Sequence, residues 1–585
     1  MSEKRSFWRK VIYLCCIAVL LIPLYQLGNP AAGPDGSGGG TLARLRKEHK
    51  ISQASLGEID PGGEAMKLST LGMRGIAVNL LWLQANKYKR VKHWEAVSAT
   101  VNTMVKLQPN FIKVWEFQAH NLSYNISVEF DDYEHRYEWV KKGIKFLAEG
   151  TRFNENDVRL SHQTGWFLGQ KIGRADEHEQ FRRLFREDED FHLELDDYVF
   201  VDDALAEIGG PPRPDNWLVG RLWYLKSEDI VTNRGVPIRG KSPLLFYADA
   251  PMSLINFAGT IEKEGYFGDL ARNAWSQAYD DYVVKYGNRD ILTSWGVLIK
   301  LEELERVEDE VTRLRGLLEK EVLPEEREEL EQRKIGPLTP EERAAYETPP
   351  PNRTPEQAAL AHQVEQKLQV TTHDIASAAK DPERRERAIQ IAAKIEDLIQ
   401  RATRISRYRG IVNYEYWKQR CEVERTPEAV DAREILHVAE DHFKKTELEE
   451  ARVKYEAAWD VWAGIFAEYP ELMKDVSSSD LMDAVKRYLK LLEYLDVKPI
   501  PPKDFKLIGM IKFHSSDFQD LGIDGLDLES LHSLEPASPE SGEPTPADGE
   551  TPTPAESGTP TPAEPAPAEP APAEPTPAEP APAVN

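Results

Sequence analysis

Between residues 70 and 175 the apolar positions recur at helical rather than strand spacing. Leu81, Ala85 and Tyr88 place a small residue between two bulky ones. Val97, Val101 and Met104 follow at i, i+4, i+7, and Pro109 closes the run. The pattern predicts a helix over 72–89 and a second over 94–107. Trp115, Ala119 and Leu122 repeat the first-helix pattern directly after Pro109. The stretch 123–137 then departs from it, and Gly143, Leu147 and Gly150 resume a second-helix pattern before Asn154-Glu155. Gly165 and Leu168 open a third unit. A weaker echo lies at Ala439, His442, Ala451, Tyr455 and Ala458, closed by Pro470. A small side chain lets two helices approach, and large neighbours fill the remaining space.

Leu81, Ala85, Tyr88, Val97, Val101, Met104 and Pro109 match in order the large-small-large pattern and closing proline of a tetratricopeptide repeat (TPR), and Trp115, Ala119 and Leu122 extend the match. The chain thus resembles TPR-like helical repeat proteins over roughly 70–175 and 430–470. As a whole it is similar to membrane-anchored TPR-like proteins of bacterial envelopes, a resemblance that carries no assigned activity. It implies an all-α solenoid in which the first helix of each unit lines a concave groove. The groove positions so implied are Asn79, Asn86, Lys89 and Arg90 in the first unit, Lys113, Glu116 and His120 in the second, and Arg159, His162 and Trp166 in the third. Asparagine with lysine or arginine at such places can hold a peptide backbone and a terminal carboxylate. The competing reading of the same residues is solvated surface.

The middle, 176–290, reads as helices with irregular linkers. The stretch 235–251 is loop-like, with helices resuming near 249–264 and 268–286. Trp217, Trp223, Trp275 and Trp295 read as core anchors, with an aromatic sugar- or peptide-binding surface as the alternative. From 291 the composition shifts to Glu, Arg, Lys and Leu. Val297, Leu304, Val307, Val311, Leu314 and Leu318 form one heptad stripe. Ala388, Ile391, Ile395, Leu398, Ala402 and Ile405 form another, with a proline-rich stretch between. Two such stripes predict a projecting antiparallel coiled-coil hairpin with a proline-rich tip, each arm reaching ~45 Å.

At the N-terminus, Lys4, Arg5, Arg9 and Lys10 precede an uncharged apolar run from Val11 to Leu27, just long enough to span a bilayer. Tyr25, Gln26 and Leu27 occupy the place where a small-residue cleavage site is expected, which favours an uncleaved anchor over a cleaved signal. The positive-inside rule leaves residues 1–10 cytoplasmic and the bulk of the chain extracytoplasmic. At the other end, residues 535–585 repeat Pro, Ala, Glu and Thr. They lack large apolar side chains, which predicts a disordered polyproline tail serving as spacer, as proline ligand or as inert solubiliser. The organisation expected is a basic flank (1–10), transmembrane anchor (11–28), flexible linker (29–60), TPR-like repeats (61–210), a segment continuing the solenoid (211–290), the coiled-coil hairpin (291–410), a C-terminal TPR-like segment (411–534) and the tail (535–585).

Composition narrows the partners. Net charge is −26 over 585 residues, which argues against nucleic acid. Of three cysteines, two lie in the apolar run and Cys421 stands apart, so no intrachain disulfide framework exists. An exported chain without disulfides fits a bacterial envelope. No phosphate-binding loop, dinucleotide fingerprint, nucleophile elbow, His-Glu-x-x-His helix or Cys-x-x-Cys pair occurs, so neither catalytic residues nor cofactors are expected. Acidic-histidine clusters stand at Asp131-Asp132-Glu134-His135, Asp176 to Glu179 and Asp188-Asp190-His192. In so acidic a chain they arise by chance, and no metal is expected. The expectation is a membrane-anchored, non-enzymatic scaffold for unknown protein or peptide partners. The alternatives are an envelope enzyme or glycan-binding protein using the tryptophan-rich 211–300 region, and a structural protein self-associating through its coiled-coil arms.

Overall fold

The computed structural model of the chain describes residues 74–368, 370–519 and 521–523, with single positions at 19, 41 and 45. Apart from those single positions, the expected anchor and linker, with the whole proline-rich tail, lie outside these residues. Among the described residues the fold is predominantly helical, and no helix there is long and apolar enough to cross a membrane.

α1 (Arg74–Arg90) and α2 (Trp94–Leu107) pack as a pair, as their spacing predicted. Val78 and Ala85 of α1 meet Val97, Val101 and Met104 of α2 in one apolar cluster. The turn between them puts Lys92 at φ +54°, and the His93 ring caps α2 by accepting from the Ala96 N–H at 3.3 Å. α3 (Ile112–His120) does not stop after Ala119. It runs on into a π turn (Asn121–Ile126) before α4 (Tyr133–Phe153), which Asp132 caps. α5 (Val158–Phe167), capped by Asp157, likewise continues into a π turn, Leu168–Ile172.

Glycines set how closely these helices approach. A Cβ on Gly150 of α4 would lie 2.8 Å from the Trp115 ring, and one on Gly143 would strike Ser123. A Cβ on Gly165 of α5 would come 2.7 Å from the carbonyl oxygen of Gly220. Gly220 belongs to α8 (Asn216–Arg234), which follows α6 (His178–Glu187), α7 (Glu189–Asp196) and the short antiparallel pair β1 (Leu205–Ala206) and β2 (Arg213–Pro214). α9 (Pro243–Lys263) and α10 (Gly268–Tyr279) complete this half, and α10 ends in a third π turn, Asp280–Tyr286. α9 thus begins earlier than its sequence suggested, because Ser242 caps it and Pro243 occupies its first turn. Trp217, Trp223 and Trp275 are buried in the cores of this half. Trp295 is not a core anchor. It sits 53% exposed at the turn between β3 (Ile291–Leu292) and β4 (Leu298–Ile299), beside Tyr408 and Arg407.

Helix α11 (Leu304–Glu321) lies antiparallel to the long α16 (Pro382–Ile411). Glu310 pairs with Lys394 at 3.1 Å and Glu321 with Arg387 at 3.1 Å, so the partner number falls as the other rises. Val311, Leu314 and Leu318 face Ala388, Ala392 and Ile395. Two expectations change here. Val297 lies in the β3–β4 turn, with its N–H on the Thr293 hydroxyl, so the apolar stripe begins only at Leu304. The proline-rich stretch 338–357 holds α13 (Pro340–Glu347) and the start of α14 (Pro355–Leu368), and it is flanked by α12 (Pro324–Ile335) and α15 (Thr372–Ser377). Pro340 and Pro355 open helices, since an N–H is not needed in the first turn, while Pro349 and Pro350 lie at the short 3-10 turn between them.

The chain returns from α16 into α17 (Tyr414–Glu424), which packs on α10. Tyr414 and Cys421 of α17 join Trp275, Tyr282 and Ile405 in one core. α18 (Pro427–Lys444), α19 (Leu448–Glu468), α20 (Pro470–Lys474) and α21 (Ser479–Tyr494) enclose Tyr455, Trp459, Trp462 and Tyr488. Where α18 and α21 meet α17, Asp480 takes Arg420 at 2.9 Å and Arg433 at 3.0 Å. Burial would raise the Asp480 pKa, but the two guanidinium groups hold it well below the usual range. Glu262 of α9 lies beside this network and accepts from the Trp275 indole at 2.9 Å. Burial, reinforced by the negative charge of Glu424, pushes its carboxyl up to about 8.

Candidate binding surface

The structure brings some of the candidate groove residues together and scatters the rest. Lys89, His120 and Trp166 come together on one half-buried stripe. Lys89 Nζ stands 5.1 Å above the Phe117 ring, and Phe117 packs at 4.9 Å on Trp82. One turn further along α3, His120 stacks on Tyr124 at 4.8 Å and 17°. Tyr124 lies 6.1 Å from Trp166, and Lys171 Nζ sits 4.6 Å above the Tyr124 ring. The stripe therefore runs Trp82, Phe117, His120, Tyr124, Trp166, with Lys89 over Phe117 and Lys171 over Tyr124.

Most of the other candidates make local contacts. Lys113 and Glu116 pair with each other at 2.8 Å, and Arg159 pairs at 3.0 Å with Asp157, the cap of its own helix. Asn86 donates to the Trp82 carbonyl at 3.0 Å. Asn79 and Arg90 are exposed. His162 lies 2.7 Å from Asp249 of α9 and stacks on Phe246 at 5.4 Å. Lys241 also pairs with Asp249, so His162 belongs to a closed polar contact between α5 and α9.

Phe117, Tyr124 and Lys171 were not singled out by the sequence. Tyr124 and Lys171 stand on the π turns that prolong α3 and α5. A π turn carries one residue more per turn than the α-helix, so side chains beyond it leave the face that a 3.6-residue period assigns. Tyr124 belongs to the stretch 123–137 that breaks the repeat spacing, which was the one visible trace of this.

The two lysines of the stripe have no direct ion-pair partner among the described residues, although Glu177 and Asp176 act on Lys171 from further away. Burial lowers the pKa of both amines. For Lys171 the carboxylate of Glu177 counters this in part, but Glu177 is itself bound by Arg136. His120 is lowered too, first by burial and then by Lys89 and Lys171. Partly desolvated cations over aromatic rings, without a direct counter-ion, form a surface complementary to carboxylates and to extended apolar segments.

Part of each acidic-histidine cluster serves the local structure. Asp132 caps α4, accepting the His135 N–H at 2.8 Å. Asp188 takes Lys141 at 2.8 Å and the Tyr137 hydroxyl at 3.3 Å, and His178 contacts the Ala175 carbonyl. A cleft of about 500 Å³ between α4 and α6 is lined by Glu134, His135, Glu138, Lys141, Glu187 and Asp188. Among the described residues no group of three His, Cys, Asp or Glu side chains has the geometry to hold a metal. No protein-family model matches the chain, and no curated protein matches it in sequence.

Proposed function

We propose that this chain is a membrane-tethered, non-enzymatic interaction scaffold of the bacterial cell envelope, built on a TPR-like helical array whose inner stripe receives acidic partners. One observation carries the reading: in a chain of net charge −26, Lys89 and Lys171 stand partly desolvated over aromatic rings, with no carboxylate among the described residues in direct ion-pair contact. A protein that has acidic side chains to spare leaves these cations without a direct partner where a ligand supplies the counter-charge. The tether rests on the basic flank and apolar run of residues 4–27.

Burial of Trp217, Trp223 and Trp275 disfavours a sugar platform in the middle region. The pairing of α11 with α16 inside one chain supports an intramolecular hairpin over arms that join separate copies.

The test is site-specific photocrosslinking in intact membranes, with the photoreactive residue at position 166 and, as control, at exposed Leu193. The expected outcome is a defined set of partners crosslinked from 166 alone and lost with Lys89→Glu and Lys171→Glu. Equal products from both positions, or products insensitive to the charge reversals, refute the reading.

A further inference from the structure

The stripe has a spacing as well as a charge. Phe117 and Tyr124 are seven residues apart on one continuous helical rod, which places their backbone positions roughly 10 Å apart along its axis. A polyproline II helix repeats every three residues, about 9.3 Å. Successive turns of such a ligand therefore come into register with the two rings. Each ring carries one lysine, Lys89 on Phe117 and Lys171 on Tyr124, so the cations repeat with the rings. His120 lies between them, with its pKa lowered by burial and by both lysines. A neutral imidazole offers one N–H, and the backbone carbonyls of a polyproline II ligand, unused internally, can accept it.

From this we propose, resting on the acidic-partner reading above, that the stripe formed by Phe117, His120, Tyr124 and Trp166 is a docking site for an extended proline-rich peptide with a carboxylate every third residue. The prolines lie across the aromatic rings and the carboxylates meet Lys89 and Lys171. Aromatic-lined grooves accept this conformation because the ligand is already ordered and loses little entropy on binding.

The experiment measures fluorescence anisotropy of labelled peptides against the full chain in detergent. One peptide repeats Pro-Ala-Glu. A second repeats Gly-Ser-Glu, with equal length and charge but no polyproline preference. A third copies residues 562–580 of this chain, where Glu564, Glu569, Glu574 and Glu579 recur at five-residue spacing. The Pro-Ala-Glu peptide is expected to bind about tenfold tighter than either other peptide, a difference of one decade in Kd. Tyr124→Leu and Lys171→Gln should each remove that advantage, while Lys171→Arg retains most of it. Circular dichroism confirms that the variants fold, and Lys171→Gln at the surface of the stripe keeps the test valid if Tyr124→Leu does not.

Equal binding of the Pro-Ala-Glu and Gly-Ser-Glu peptides, still dependent on Lys171, overturns the polyproline proposal and leaves the acidic-partner reading standing. Equal binding of the three-residue and five-residue spacings overturns the register. Binding that ignores Lys89 and Lys171, or no binding of any peptide, overturns the proposal and the reading together.

Discussion

Arg182 and Asp215 form an ion pair at 2.9 Å in which neither side chain has any solvent exposure. Arg182 also reaches Glu264 at 2.8 Å, so one guanidinium ties α6 to the start of α8 and the end of α9. Removing one partner of a buried pair leaves an uncompensated charge in the interior. Arg182→Met is therefore expected to cost about 3 kcal/mol in denaturant unfolding. A loss below about 1 kcal/mol would mean that Arg186, 3.3 Å from Asp215, suffices alone.

The glycines of α4 and α19 should respond oppositely to the same substitution. Gly150→Ala puts a methyl group against the Trp115 ring, and overpacking of that kind costs about 1–3 kcal/mol. Gly464→Ala meets nothing within 4 Å near the C-terminal end of α19, and should stabilise by up to ~1 kcal/mol through helix propensity. Thermal melts of the two variants decide it. If both stabilise, the helices do not approach as closely as described.

Glu262 makes stability depend on pH in a definite direction. Its carboxyl is raised in the folded chain to about 8, above its value in the unfolded chain. Between those two values the folded state holds the proton and the unfolded state does not, so stability falls as pH rises through that window. Glu262→Gln keeps an acceptor for the Trp275 indole but cannot ionise. The variant is expected to gain on the parent progressively from pH 5 towards pH 9 in unfolding experiments. Parallel pH profiles for the two proteins would refute this.

Two tryptophans from the same stretch of sequence should behave differently. Trp223→Ala empties a fully buried site and is expected to cost about 3–5 kcal/mol. Trp295→Ala, at an exposed turn, should stay within about 0.5 kcal/mol of the parent. Denaturant midpoints measure both.

Much of the helical layout was legible because periodicity and burial agree. Ala85, Val97, Val101, Met104, Trp115, Ala119 and Leu147, read from spacing, are all buried. The same holds for Ala439, Ala451, Tyr455 and Ala458 far along the chain. Proline misled the reading of the hairpin. At Pro324, Pro340 and Pro355 it marks the first turn of a helix, and only the cap beside it, such as Thr339, distinguishes that from a break. Trp295 failed because an aromatic side chain carries no label of which face it takes outside a regular element. At the candidate surface, Lys89, His120 and Trp166 were found by position. Tyr124 and Lys171 were missed, because the π turns that carry them alter the count on which position depends.

The π turns that prolong α3 and α5 make chain length a determinant of this surface in its own right. Each extra residue rotates everything after it by about 100° without bending the rod. Loss of the single codon for Leu122 or Ser123 would leave every aromatic and basic side chain of the stripe present, yet swing Tyr124 off the common line. Variation by substitution and variation by insertion are thus unequal here. The first alters the strength of one contact, and the second dissolves the alignment on which all of them rely.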